Sequence, residues 1–69
     1  MNKTAAITRH LLDGKSITSM EAIEKYRATR LAAIICGLRQ DGMDIADQFE
    51  EYTGQDGDTT RFKRYWLVK

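Results

Sequence analysis

Leu31, Ile34, Ile35 and Leu38 stand at offsets 0, 3, 4 and 7, a spacing that lines one side of an α-helix with apolar groups. A helix this short holds its shape in water mainly through packing of that side, so the rest of the chain must cover it. Beyond Gly42 the pattern changes. The segments Ile45 to Tyr52 and Arg61 to Val68 are rich in β-branched and aromatic residues. Between them, Thr53-Gly54-Gln55-Asp56-Gly57-Asp58 has the glycines and aspartates of a hairpin turn.

Upstream, the same reasoning predicts two more helices. Thr4 to Asp13 sets Ile7 and Leu11 four apart with Leu12 beside them, and Asp13-Gly14 ends the stripe. Ser16-Ile17 is expected to be a brief extended link. Thr18-Ser19-Met20-Glu21 has the spacing of a capping box and starts a second helix near Ser19, with Ala22, Ile23 and Tyr26 on its inner side. A three-residue turn then leads to Thr29, which is expected to cap the third helix, and Gly42 ends that helix. The order helix, helix, helix, strand, strand predicts an α+β fold. A helix-turn-helix core is followed by a C-terminal β-hairpin that covers its open side and projects as a wing, which is a winged helix.

With 69 residues, 42 % of them apolar, 30 % charged and no proline, the expectation is one small folded domain over residues 1–69. The only cysteine, Cys36, cannot form an internal disulfide. No secretory apolar segment follows Met1, and Leu31 to Cys36 falls far short of the about 20 apolar residues that a membrane span needs, so a cytoplasmic chain without membrane contact is expected.

The residues that carry these signals also resemble a known family. Ile17-Thr18-Ser19-Met20-Glu21-Ala22-Ile23-Glu24-Lys25-Tyr26, Thr29-Arg30-Leu31-Ala32-Ala33-Ile34-Ile35, Leu38-Arg39 and Gly42 look like the small phage and prophage helix-turn-helix domains. The likeness covers about residues 16 to 42. It implies a winged helix of phage or mobile-element origin with presumed DNA binding, and the expected function is a transcriptional or architectural regulator. Two positions depart from the pattern. Arg27 stands where the family often has glycine, at a turn that needs unusual backbone angles, and Ile34 stands where it tends to have a basic residue.

Winding the third helix at about 100° per residue turns Thr29, Ala33, Cys36, Gly37 and Gln40 outward, with Arg30, Ala32 and Arg39 on the flanks. Small side chains let a helix approach base edges, Gln40 matches adenine, and Arg30 or Arg39 suits guanine or phosphate. The same strip could instead pack against the hairpin or a second subunit. Arg27 adds a cation near the start of this helix. Arg61, Lys63 and Arg64 place three more on the last strand, where they could grip phosphates or simply guard a strand edge. A chain this small offers little interface alone, so double-stranded DNA is expected to be bound by a homodimer or by cooperative arrays.

Charge supplies a rival reading. The net charge is only +1, and Asp41 to Asp58 holds seven acidic residues and no basic one. Asp44, Asp47, Glu50, Glu51, Asp56 and Asp58 could form a solvated face, or a surface that imitates DNA and engages a host regulator or defence complex. No catalytic machinery or cofactor is expected. His10 reads as a surface or capping group. His10 and Cys36 together cannot supply the about four ligands that zinc takes. Asp56-Gly57-Asp58 reads as turn chemistry, and Trp66 and the tyrosines at 26, 52 and 65 read as core or cross-strand residues.

Overall fold

A computed structural model describes residues 2–68. In chain order it has α1 (Lys3–Leu12), β1 (Ile17–Thr18), α2 (Ser19–Tyr26), α3 (Leu31–Gln40), β2 (Ile45–Thr53) and β3 (Thr59–Leu67). Three helices and an antiparallel sheet make up the winged helix expected from the order of signals. The sheet has three strands, in the order β1-β3-β2. The link at Ser16-Ile17 therefore has to be corrected: Ile17 and Thr18 form a strand, paired with Tyr65 and Arg64 of β3. Two residues carry too little pattern to announce a strand, and only the long-range pairing makes it one.

Each helix end has a local cause. Asn2 starts α1, its Oδ1 accepting from the Ala5 amide at 2.7 Å. At α2 the capping box is complete: the Glu21 amide donates to Thr18 Oγ1 at 3.2 Å and the Thr18 amide to Glu21 Oε1 at 3.0 Å. The end of α2 is unusual. Arg27 sits in the left-handed region at φ 55° and ψ 31°. That conformation lets the Arg27 amide donate to the Ile23 carbonyl at 2.9 Å and the Ala28 amide to the Ala22 carbonyl at 3.1 Å. It also drives Ala28 into the core. Gly14 performs the corresponding turn after α1 at φ 83°, without a Cβ to crowd the backbone. The expected cap of α3 is corrected as well. The N-cap is Arg30, one residue later than Thr29, and it makes no side-chain capping bond.

The core gathers Ile7 and Leu11 of α1, Ile17 of β1, Ala22, Ala28, then Leu31, Ile35 and Leu38 of α3, closed by Ile45 and Tyr65 from the base of the hairpin. Ile34 is half-buried at its margin. Leu12 and Ile23, both expected to face inward, are instead 56 % and 42 % exposed. Ile23 lines an apolar cleft between α2 and Tyr52 and Phe62 of the hairpin.

His10, expected at the surface, is buried between α1, α2 and the start of β1. Its Nε2 lies 2.8 Å from the Ser16 carbonyl and its Nδ1 lies 2.8 Å from the Tyr26 hydroxyl. A carbonyl only accepts, so Nε2 donates to Ser16, and in the neutral imidazole Nδ1 then accepts from Tyr26. One imidazole thus satisfies two polar groups at the junction of three elements.

Candidate nucleic-acid interface

The register of the hairpin decides what the wing presents. Ile45 faces Leu67, Asp47 faces Tyr65, Phe49 faces Lys63, Glu51 faces Arg61 and Thr53 faces Thr59. Side chains alternate across a sheet, so these pairs share one surface. Its lower part carries Ile45 and Tyr65 of the core, which makes it the α3 side. Ala46, Gln48, Glu50 and Tyr52, with Trp66, Arg64, Phe62 and Thr60, take the other surface.

Arg39 locks α3 to the base of the wing. Its Nε and Nη2 donate to the Ile45 carbonyl at 3.0 and 2.7 Å, and Nη2 reaches Asp47 Oδ2 at 2.8 Å. This hydrogen bond holds the Asp47 carboxyl below its ordinary range, with smaller help from the charges of Lys63 and Arg39. Arg64 does the corresponding work on the opposite surface. Its Nε donates to Glu50 Oε1 at 2.9 Å, and its Nη1 reaches Ser16 Oγ at 3.1 Å and Glu21 Oε1 at 3.3 Å. Glu50 pulls the Arg64 pKa further up, and Arg64 pulls that of Glu50 down. Two of the sequence-selected cations are therefore employed in fixing how the wing meets the helices.

The others are free of such duties. Thr29, Arg30, Ala33, Cys36, Gly37 and Gln40 are exposed, as is Arg27. A Cβ added to Gly37 would meet nothing within 4 Å. Ala33 and Gly37 floor a shallow groove of about 410 Å³ beside the first turn of α1, with Arg30 at one end and Asp41 at the other. Because α3 lacks a side-chain cap, the first amides of the helix keep their donors for an outside acceptor. Arg30 is the N-cap residue at that positive end, and Arg27 precedes it by three positions.

On the wing, Arg61 reaches Glu51 only at 3.8 Å, with both side chains more than 60 % exposed. Such a pair is easily exchanged for another anion. Among the described residues Lys63 makes no ion pair. Both cations lie against the ring of Phe49, with Arg61 Cζ 4.9 Å and Lys63 Nζ 5.1 Å from its centroid.

The acidic segment is divided by the fold. Asp47, Glu50 and Glu51 pair with Arg39, Arg64 and Arg61. Asp44 lies before β2, and Asp56 and Asp58 lie at the wing tip, where Asp56 Oδ1 accepts from the Asp58 amide at 3.1 Å. An apolar cleft of about 430 Å³ opens on the surface of the hairpin away from α3, between Met20 and Ile23 of α2 and Tyr52 and Phe62 of the strands. Among the described residues no three His, Cys, Asp or Glu side chains are grouped to hold a metal ion, and no helix is long and apolar enough to cross a membrane.

Phe49 and the uncapped start of α3 escaped the sequence reading. The first was detectable: once two strands are assigned, period two puts Phe49 on the surface of Arg61 and Lys63. The second was hidden by Thr29, a good capping residue that stands one position too early.

No curated protein matches this sequence. A family described as the winged helix-turn-helix domain matches residues 3–69, which takes in all three helices and the whole hairpin. On that match, and with the observed order of helices and strands, the chain belongs to the winged helix-turn-helix domain family.

Proposed function

We propose that this protein binds double-stranded DNA as a small transcriptional or architectural regulator of phage or mobile-element type. In this reading α3 lies in the major groove and the wing rests on the neighbouring backbone. One observation carries the reading: the open side of α3 from Thr29 to Gln40 bears no carboxylate, and its uncapped N-terminus begins right after Arg30, with Arg27 three positions earlier in the chain. Partial positive charge, free amides and an arginine at the N-cap suit a phosphate. Thr29, Ala33, Gly37 and Gln40 are then the residues nearest base edges, and Arg61 and Lys63 supply the wing contacts. Arg39 and Arg64 set the angle between wing and helix.

The test is a titration of labelled duplex at several salt concentrations. Arg30→Ala and Lys63→Ala should each weaken binding and lower the slope of log K against log salt by about 0.9. Absence of any complex at low salt would overturn the reading. Sizing the complex by light scattering shows whether two copies occupy one duplex, as the small surface of a single copy suggests.

A second reading, a protein-binding module, draws support from the apolar cleft between Met20, Ile23, Tyr52 and Phe62 and from the wing-tip acids Asp56 and Asp58, which make no ion pair among the described residues. It predicts that Met20→Glu abolishes partner capture and leaves the DNA titration unchanged.

A further inference from the structure

Met20, Ile23 and Tyr52 are 63 %, 42 % and 64 % exposed, and with the half-buried Phe62 they line the apolar cleft on the surface of the hairpin away from α3. Single exposed apolar side chains are ordinary on a protein surface, but a group that shares one cleft marks a place where something docks. The charges at its edge are already matched. Glu21 and Arg64, the charged residues of the lining, meet at 3.3 Å, and Arg64 also holds Glu50 at 2.9 Å. The cleft thus offers apolar surface with no unpaired charge in its lining to select a partner of opposite sign.

We propose that this cleft is the contact surface of a homodimer, in which two copies bury Met20, Ile23, Tyr52 and Phe62 against each other about a two-fold axis. A two-fold contact sets one patch against itself, so an unpaired charge near the axis would meet its own like. The cleft lining avoids that repulsion. The exposed ring of Phe49 on the opposite surface of the hairpin does not, because Arg61 and Lys63 lie against it and would be brought towards their own copies.

The size of the patch sets the strength of the contact. A specific interface buries at least about 1,000 Å² in total, about 500 Å² from each copy, which is about a tenth of the 5041 Å² that this chain exposes. An apolar patch of roughly 300–600 Å² per copy reaches that floor and goes little beyond it. The dimer is therefore weak in free solution, with a Kd on the order of 10–100 µM. The cleft shares no residue with the α3 groove floored by Ala33 and Gly37, so association leaves both α3 strips open. Its use in seating two copies on one duplex rests on the DNA reading above. There the second copy meets the first at an effective concentration in roughly the millimolar range, which completes a weak dimer.

The experiment is sedimentation equilibrium without DNA, from about 5 µM to about 1 mM, on the wild type, Met20→Glu, Tyr52→Glu and Leu12→Glu. Leu12 is 56 % exposed on α1 and lies outside the cleft, so its variant controls for the loss of any exposed apolar group. The wild type and Leu12→Glu are expected to pass from monomer towards dimer over this range, and Met20→Glu and Tyr52→Glu to associate at least roughly tenfold more weakly. All three positions are exposed, and circular dichroism checks that each variant is folded. Amide shifts of the wild type, followed by NMR over the same concentrations, should move at Met20, Ile23, Tyr52 and Phe62 and stay fixed at Ala33 and Gly37. A wild type that remains monomeric at about 1 mM overturns the proposal and leaves the cleft to a different protein. A dimer that neither cleft substitution weakens, or shifts confined to the α3 groove, overturns it as well. Because these outcomes are read without DNA, they are separate from the duplex titration: a chain that binds DNA but never self-associates loses only the dimer, and one that dimerises but binds no duplex loses only the DNA reading.

Discussion

Replacing Arg27 by glycine should stabilise this protein, although the substitution removes a charge and shortens a side chain. Arg27 is held at φ 55° because the chain must turn sharply between α2 and α3 while sending Ala28 into the core. A residue with a Cβ in that conformation is disfavoured by about 1–2 kcal/mol, because the Cβ crowds the following carbonyl. Glycine removes this crowding but loses about 0.4–1 kcal/mol through the greater freedom of its unfolded chain. The difference spans about 0–1.6 kcal/mol and centres on a gain of about 0.8 kcal/mol for Arg27→Gly. At roughly 4–8 °C per kcal/mol for a domain of this size, the central value raises Tm by about 3–6 °C. Thermal unfolding followed by circular dichroism measures this directly. Arg27→Ala is the control, since it removes the same charge and keeps the Cβ, and its Tm should not rise. A Tm for Arg27→Gly at or below the wild type would refute the reasoning, as would an equal rise for Arg27→Ala. Both variants lose the same cation, so they should weaken DNA binding equally, which separates backbone strain from phosphate contact.

Two further perturbations probe the supports of the fold. His10→Phe fills the same space but strands the Ser16 carbonyl and the Tyr26 hydroxyl. It should cost about 2 kcal/mol in urea unfolding, and an unchanged midpoint would show that neither bond matters. The ordinary carboxyl values are 3.8 for Asp47 and 4.5 for Glu50, and hydrogen bonds from Arg39 and Arg64 hold both groups below them. A carboxyl with a depressed folded-state value contributes stability that is complete above its unfolded value and disappears as pH falls through the folded one. Tm should therefore hold steady down to about pH 5 and drop in acid below about pH 4, with a shallower drop in Glu50→Gln, which should also be less stable at neutral pH. Equal acid profiles for the two proteins would rule out the Glu50–Arg64 contact as a source of that dependence.

How much of this architecture is visible in the residues follows from the range of the forces involved. The capping box at Thr18 and Glu21, the four-residue stripe of α3 and the glycines of the hairpin act within a few positions, and each appears where its local pattern places it. Apart from the cap of α3, which falls on Arg30 and not Thr29, the failures involve distant partners. Ile17 and Thr18 become a strand only because Tyr65 and Arg64 arrive beside them, and His10 is drawn inside only because Tyr26 and Ser16 offer it matching hydrogen bonds. The candidate interface divides along the same line. Period alone turned Thr29, Ala33, Gly37 and Gln40 outward, but it could not show that Arg39 and Arg64 are tied to Asp47 and Glu50 while Arg61 and Lys63 are not, because that depends on the β2–β3 register. The same register bears on the acidic run, which suggested an edge hostile to nucleic acid. Three of its carboxylates meet arginines from α3 and β3, and the rest sit at the hairpin's base and tip, away from the ring of Phe49. A net charge of +1 is thus a poor guide to what this surface attracts, because folding ties Asp47 and Glu50 to Arg39 and Arg64 and leaves Arg27, Arg30 and Lys63 unpaired among the described residues.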